Sequence, residues 1–241
     1  MGLLQSITAS EFWQKHIYLN FIAEDRWKYL TDGLQNTILI TIGALIIGIV
    51  LGAMVSVVRV THDKAGKPGI GLRLVNLVCK VYLTVIRGTP VVVQLLIMWF
   101  VVFASAKSDQ KLMVAIIAFG INSGAYVAEI FRSGIESIPV GQKEAATILG
   151  FTKIQTFFHI SLPQVIKRIL PPMGSECMTL VKDTALAQTI GVAEMFRLAQ
   201  TATTREFSIV PIFVAGIFYL IMNGVVSVCF THMEKRLSYY D

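Results

Sequence analysis

Three stretches of this chain, residues 37–58, 112–131 and 209–230, stay apolar for close to the roughly 20 residues that a helix needs to cross a bilayer. Nothing else in the sequence limits the fold so strongly. A segment in lipid must satisfy its own backbone hydrogen bonds, so each run is expected to be a helix. A fourth run, 91–106, is shorter and follows "RGTP". Composition agrees: 54% of residues are hydrophobic and 15% charged, with a mean hydropathy of +0.66, a balance that suits an integral membrane protein rather than a soluble domain. The first 32 residues hold Glu11, Glu24, Asp25 and Asp32 and show no basic-then-apolar signal pattern. The first span is therefore expected to act as an uncleaved insertion signal.

The net charge of +6 is explained by topology rather than by nucleic acid, because the basic residues cluster in particular loops. Arg59, Lys64, Lys67, Arg73 and Lys80 face a single acid, Asp63. Arg132, Lys143, Lys153, Lys167 and Arg168 face Glu136 and Glu144, and the tail carries Lys235 and Arg236. The positive-inside rule places all three segments in the cytoplasm and the net-negative N-terminus outside. That arrangement requires an odd number of spans. The missing one must lie between Pro171 and Phe207, where Glu176, Lys182, Asp183 and Gln188 depress the hydropathy. Charges there are tolerated facing a bundle interior or a watery cavity. Five helices are expected, near 33–58, 82–106, 111–134, 164–190 and 208–232. The first part of 66–86 is expected along the cytoplasmic interface, and 191–206 is expected as an external loop, partly helical. Residues 1–32 form an external segment, 33–232 the transmembrane domain and 233–241 a cytoplasmic tail.

The segment after the third span, "IPVGQKEAATILG", has Ile138, Ala145, Ile148 and Leu149 at helical spacing. Ala145 and Ala146 are small enough for another surface to come close. Gly150 permits a sharp change of direction at a helix end, and "FTKIQTFFHISLP" reads as a second short helix. Pro163 suits the first turn of the element that follows. Residues 138–163 thus predict a helix–turn–helix finger at the cytoplasmic face.

These residues resemble a known family. Glu144-Ala145-Ala146, three residues, Gly150, nine residues, Ile160, one residue, Leu162-Pro163 matches the EAA signature of ABC importer permeases. "TVIRGTP" (84–90), "INSGAYVAEIFRSGI" (121–135) and "VKDTALAQTIGVAEMFRLAQ" (181–200) look like the polar amino acid branch, with glutamine-type permeases closest. The resemblance covers residues 34–237. It implies an all-α type I ABC importer transmembrane domain in the bacterial cytoplasmic (inner) membrane, N-terminus outside and C-terminus inside. It implies cytoplasmic ABC ATPase subunits that bind ATP and Mg, an extracytoplasmic solute-binding protein, a second permease subunit identical or related, and a polar amino acid substrate moved by alternating access. Glu144, Ala145, Ala146, Gly150, Leu162 and Pro163 would then couple to the ATPase.

The chain itself carries no ATP chemistry. Gly66 and Gly71 have phosphate-loop spacing, but Leu72-Arg73 follows in place of Lys-Ser/Thr. His16, His62, His159 and His232 are scattered, and Cys79, Cys177 and Cys229 lack metal spacing. No cofactor or metal is expected, and no catalytic residue.

Two polar sets remain. Asn122, Tyr126 and Glu129 share one face of the third span, and Glu176, Thr179 and Asp183 one face of the fourth, with Lys182 pointing elsewhere. Such groups can meet the ammonium and polar side chain of an amino acid, or simply hydrogen-bond helix to helix. Asp183, Glu176, Thr184, Tyr126, Asn122 and Gln94 are the substrate candidates. Arg87, Gly88, Thr89 and Pro90 form either a plain helix entry or a break that shapes an inner gate, together with Glu129 and Lys182. Glu129 could pair with Lys182 or Arg132. The rival reading is a secondary transporter or channel working without ATPase, which would account for intramembrane carboxylates but not for the finger.

Overall fold

The computed structural model describes residues 12–237. Glu11, with the rest of residues 1–11, and the tail residues 238–241 lie outside the described residues. Every described element is helical. Apart from short 3₁₀ turns at Ala23–Asp25 and Ser108–Gln110, they are in chain order α1 (Trp13–Ile22), α2 (Trp27–Lys64), α3 (Ile70–Gly88), α4 (Val91–Val102), α5 (Lys111–Glu136), α6 (Val140–Ile148), α7 (153–161), α8 (Leu162–Asp183) running into a 3₁₀ turn (Thr184–Ile190), α9 (Met195–Glu206) and α10 (Val210–Leu237).

Three of these, α2, α5 and α10, are long and apolar enough to cross a membrane, and α3 with α4 makes a fourth if the bent pair counts as one span. The helix expected at 82–106 is corrected. The chain breaks after Gly88 and bends by 112° between α3 and α4. Pro90 is the cause: it forces Thr89 into extended backbone (φ −122°, ψ 148°) and so ends α3. The interfacial stretch expected before it belongs to the same helix as 82–88. Along α3, Ile70, Leu74, Leu77, Val78, Val81 and Val85 stand exposed, while Asn76, Cys79 and Leu83 are buried, one apolar face out and one face in.

α5 is the hub. Within its most apolar window 56% of residues are buried, against 6% in α10, which lies outermost. Between apolar helices lipid offers no hydrophobic gain, so close backbone approach matters more. α2 meets α5 through glycine: a Cβ at Gly52 would stand 2.7 Å from Val127 Cγ1 and 2.9 Å from the Ala128 nitrogen. Ile40, Ala44, Leu95, Ala115, Phe119 and Leu180 then form one core drawn from α2, α4, α5 and α8.

The fourth expected helix, 164–190, differs at both ends. α7 and α8 are continuous, with helical backbone at Thr156 and Leu162. Residues 156–161 widen to a π-type turn, which accommodates the N–H missing at Pro163. At its far end α8 tightens to 3₁₀ from Thr184. Pro171 and Pro172 sit within α8, and α8 lacks the length of apolar sequence that marks the other spans.

Candidate functional site

The corner of the finger forms at Gly150 as expected and is a Schellman turn, but its second arm is not a separate short helix: α7 runs on into α8. Gly150 adopts φ +82°. Its N–H donates to Thr147 O at 3.0 Å, and the Phe151 N–H donates to Ala146 O at 3.0 Å. Thr152 opens α7 with a capping box: its hydroxyl oxygen accepts from Gln155 N at 3.2 Å, and Gln155 Oε1 accepts from Thr152 N at 2.9 Å. The base is tied down by residues that sequence reading did not single out. Gln142 and Gln164 exchange amide hydrogen bonds at 3.2 and 2.8 Å, and the Arg168 guanidinium donates to Ser137 O. Glutamine pairs of this kind carry no sequence signal, since only the fold brings them together.

The tip is apolar and uncovered. Ile148 is 86% exposed and Leu149 74%, with Ile154 also exposed. Glu144 and Ala145 are exposed, while Leu162 and Pro163 are half-buried. Ala146 corrects the expectation of two small residues facing outward: it is 1% exposed and packs inside the chain, because α6 turns that side toward its own base.

The "RGTP" break is held by one side chain. Gln94 Nε2 donates to Ile86 O (2.8 Å), Thr89 O (3.1 Å) and Thr89 Oγ1 (2.8 Å), so it satisfies carbonyls that α3 leaves open at its end. Its Oε1 accepts from Asn122 Nδ2 at 2.9 Å. On the next residue of α5, the Ser123 hydroxyl donates to Glu176 Oε1 at 2.7 Å. α4 and α8 are thus pinned to successive residues of α5. Tyr126 lies beneath Arg87, whose guanidinium carbon is 5.8 Å from the ring centre. Glu129 pairs with Arg132 at 2.7 Å and with Arg87 at 3.8 Å, not with Lys182. Arg132 also holds Glu136 at 2.6 Å.

Asp183 is half-buried where α8 ends. Thr184 is fully buried, with its hydroxyl donated to Val181 O at 2.7 Å. A helix turns about 100° per residue, which sets Thr179 about 60° from Glu176 and about 40° from Asp183, at the edge of their shared face, and there Thr179 and Lys182 line one open groove with Ser175 and Tyr219.

Beyond α8, the 191–206 segment is more ordered than a loop. Gly191 (φ +84°) turns the chain, and fully buried Glu194 caps α9 by accepting from Phe196 N (2.7 Å) and Arg197 N (2.6 Å). The Tyr219 hydroxyl donates to the same carboxylate at 2.9 Å. Burial pushes the Glu194 carboxyl above the usual carboxylate range, against the three donors that pull it down. Met195 N donates to Thr37 Oγ1 at 3.3 Å, which fastens α9 to α2.

The family described as "Binding-protein-dependent transport system inner membrane component" matches residues 71–239. The chain belongs to this family. It is the multi-pass, inner-membrane permease component of such a system, not itself an enzyme; ATP hydrolysis belongs to a separate subunit. Membership implies an ATPase and a substrate-binding protein as partners. Over 223 residues the permease is 34% identical to the L-cystine transport system permease protein TcyB of Bacillus subtilis (strain 168), covering 92% of each chain. Over 212 residues it is 34% identical to the glutamine transport system permease protein GlnP of Escherichia coli (strain K12), covering 86% of this chain and 92% of that one. Among solved structures it is similar to an amino acid ABC transporter crystallised with histidines, at a TM-score of 0.76 and 31% identity, over 87% of this chain and 94% of the other. It also shares the fold of the inward-facing MetNI methionine ABC transporter, at a TM-score of 0.73 and 18% identity, over 90% of this chain and 99% of that one.

Proposed function

We propose that this permease imports a polar amino acid by alternating access, and that residues 138–163 are the element through which its ATPase drives the cycle. The exposed apolar tip carries the reading. Ile148, Leu149 and Ile154 stand in the open around a left-handed glycine, on a finger whose base is fixed by hydrogen bonds and outside the helices long enough to span. A water-facing apolar tip on a rigid base suits a protein cleft. ATP and Mg would be bound by the ATPase in whose surface the tip sits, with Glu144 and Ala145 at the contact.

In this reading α8 completes five spans, its polar residues facing the interior. The N-terminus and residues 191–206 lie outside, and Lys64, Lys153 and the tail inside. A second permease subunit, identical or related, completes the pathway, with lipid around the outer faces of α3 and α10. ATP binding closes the ATPase pair, the paired fingers follow, and the helices open toward the loaded binding protein; hydrolysis and release return the inward-open state. A ligand acts only through its different affinity for the two states.

For substrate, the geometry favours Asp183 over its neighbours. Gln94, Asn122 and Glu176 are engaged in joining helices, and Thr184 is packed in the core. Asp183 and Tyr126 retain exposure, and a carboxylate with an aromatic face suits an ammonium group. Arg87, Glu129 and Arg132 form the candidate inner gate beside the Pro90 break. The relatives carry L-cystine and glutamine by name, which supports an amino acid cargo. Proteoliposomes holding the permease, its ATPase and the binding protein test the whole reading. Uptake of polar amino acids should require ATP inside and binding protein outside. Uptake that persists without ATP would return the protein to the secondary-transporter class. Cysteine at Lys153 should resist an impermeant reagent in intact cells, and labelling from outside would overturn the five-span topology.

A further inference from the structure

Beside the finger, the end of α2, α6 and α7 enclose a cleft of about 430 Å³. Its lining includes Lys64, Lys143 and Lys153, one from each element, with Thr147, Thr156 and Phe157. No carboxylate is among the described residues that line it. The Lys64 ammonium feels the like charge of Lys143, and the carboxylate acting on it, Glu136, is already held by Arg132 at 2.6 Å. The two threonine hydroxyls donate to their own helices, to Lys143 O and Thr152 O, so the three lysines are the charged donors that the cleft offers, with the Ser161 hydroxyl beside them. Three cations facing one space without a matching anion are an arrangement that an anionic ligand would relieve.

Its position narrows the ligand. α2 has 38 residues, or about 57 Å at 1.5 Å per residue, while the hydrocarbon core is about 30 Å thick. Lys64, at the last turn of α2, therefore lies beyond the hydrocarbon, at the level of headgroups or of solvent. Lysine ammonium groups on long stems, beside an aromatic ring, suit a phosphate at that boundary.

We propose that this cleft binds a phosphate-bearing anion through Lys64, Lys143 and Lys153. Bound there, the anion bridges α2 to α6 and α7 and so steadies the finger. A phospholipid headgroup and a free phosphate share the chemistry, and the test separates them. The full chain, purified in a zwitterionic detergent, is titrated in parallel with dioleoylphosphatidylglycerol and with inorganic pyrophosphate. Binding is followed by native mass spectrometry and by the rise in Tm. Wild-type protein should bind one equivalent. Lys64→Gln with Lys143→Gln should weaken binding about tenfold or more, since two charge-assisted contacts are lost. Lys153→Gln alone, an exposed position that leaves the fold untouched, should weaken it roughly threefold. Lys67→Gln removes one charge from the neighbouring loop and should leave affinity unchanged. Binding of the lipid but not of pyrophosphate assigns a headgroup; equal binding of both assigns a free anion. No binding by the wild type, or the same loss in Lys67→Gln as in Lys153→Gln, overturns the proposal.

Discussion

Among the described residues the chain makes two sharp left-handed glycine turns, one before α7 and one after the 3₁₀ turn that ends α8, and surrounds them differently. At Gly191 a Cβ would stand 2.8 Å from Lys111 Nζ, whereas at Gly150 it would meet nothing within 4 Å. The segment after Gly191 is clamped: Glu194 is buried and takes three donors, and α9 is fastened to α2 and α10. The segment around Gly150 is fixed only at its base, by Gln142 with Gln164 and by Arg168, and its apolar tip stays open. One region spends its polar groups and apolar surface within the chain. The other leaves them for something outside it. Substitutions in the first should therefore act on stability, and substitutions in the second on transport.

The largest stability effect is expected at Glu194. Glu194→Ala strands two backbone N–H groups and the Tyr219 hydroxyl in a buried site, at a cost of about 2–4 kcal/mol. Thermal unfolding in detergent should show a clear fall in Tm and in yield. Glu194→Gln keeps an acceptor and should fall less. pH adds a sign. Burial raises this carboxyl above 4.5 in the folded chain, so the folded state holds the proton more tightly than the unfolded state does. The linked stability is present below 4.5 and is lost as pH rises through the raised folded value. Glu194→Gln should remove that slope. A Glu194→Ala protein as stable as wild type would end the contrast between the two turns.

Gly150→Val comes next and should act on the other quantity. A β-branched residue at φ +82° carries strain of about 1–2 kcal/mol, although the space around it is open. That strain falls on an exposed turn, so membrane insertion and Tm should change little. Stimulation of the ATPase by loaded binding protein, and uptake, should both fall steeply in proteoliposomes. Wild-type coupling in this variant would show that the tip is not the element that transmits force.

The two regions also differ in how legible they were. The finger could be read because its signals are local: a glycine after an apolar stripe, and a proline. The clamp could not, because Glu194, Tyr219 and Thr37 meet only when α2, α9 and α10 have packed, and a lone glutamate among apolar neighbours does not announce its partners. The break at Thr89-Pro90 was visible as a motif, but its consequence was underread: hydropathy averages across a bend, so 82–106 looked like one helix. Polar residues near the bilayer centre were legible as a set and not as individuals. Helical spacing put Asn122 and Tyr126 on one face, yet Asn122 reaches Gln94 at 2.9 Å while Tyr126 packs under Arg87. Spacing cannot show which polar group finds a partner.

Asp183 tests that separation within the membrane. Asp183→Ala should lower uptake about tenfold, the loss of one charged contact, with complex yield preserved. Gln94→Ala should do the reverse and lower yield first, because it frees the carbonyls of Ile86 and Thr89 together with the Asn122 amide. Helix-to-helix hydrogen bonds in membranes average about 0.6 kcal/mol, so the loss of yield should be modest. Equal effects of both variants on uptake and yield would merge the two roles.

The smallest effect is expected at Glu144, and its size is what makes it useful. Glu144 is exposed on α6, two residues from buried Ala146, so its truncation should not disturb the base of the finger. A partly exposed ion pair with the ATPase contributes about 0–1 kcal/mol, at most about a fivefold change in docking affinity. That change should depend on salt, because the Debye length falls from about 10 Å at 0.1 M to 3 Å at 1 M. Docking of the purified ATPase, titrated at low and at high salt, separates two origins of tip affinity. If the apolar residues Ile148 and Leu149 carry most of it, Glu144→Ala should weaken docking slightly at low salt and match the wild type at high salt. Leu149→Ser should weaken docking equally at both. A Glu144→Ala loss that persists undiminished at high salt would mean that the carboxylate is buried on docking and fully desolvated, and the tip would then be recognised by charge rather than by its apolar surface.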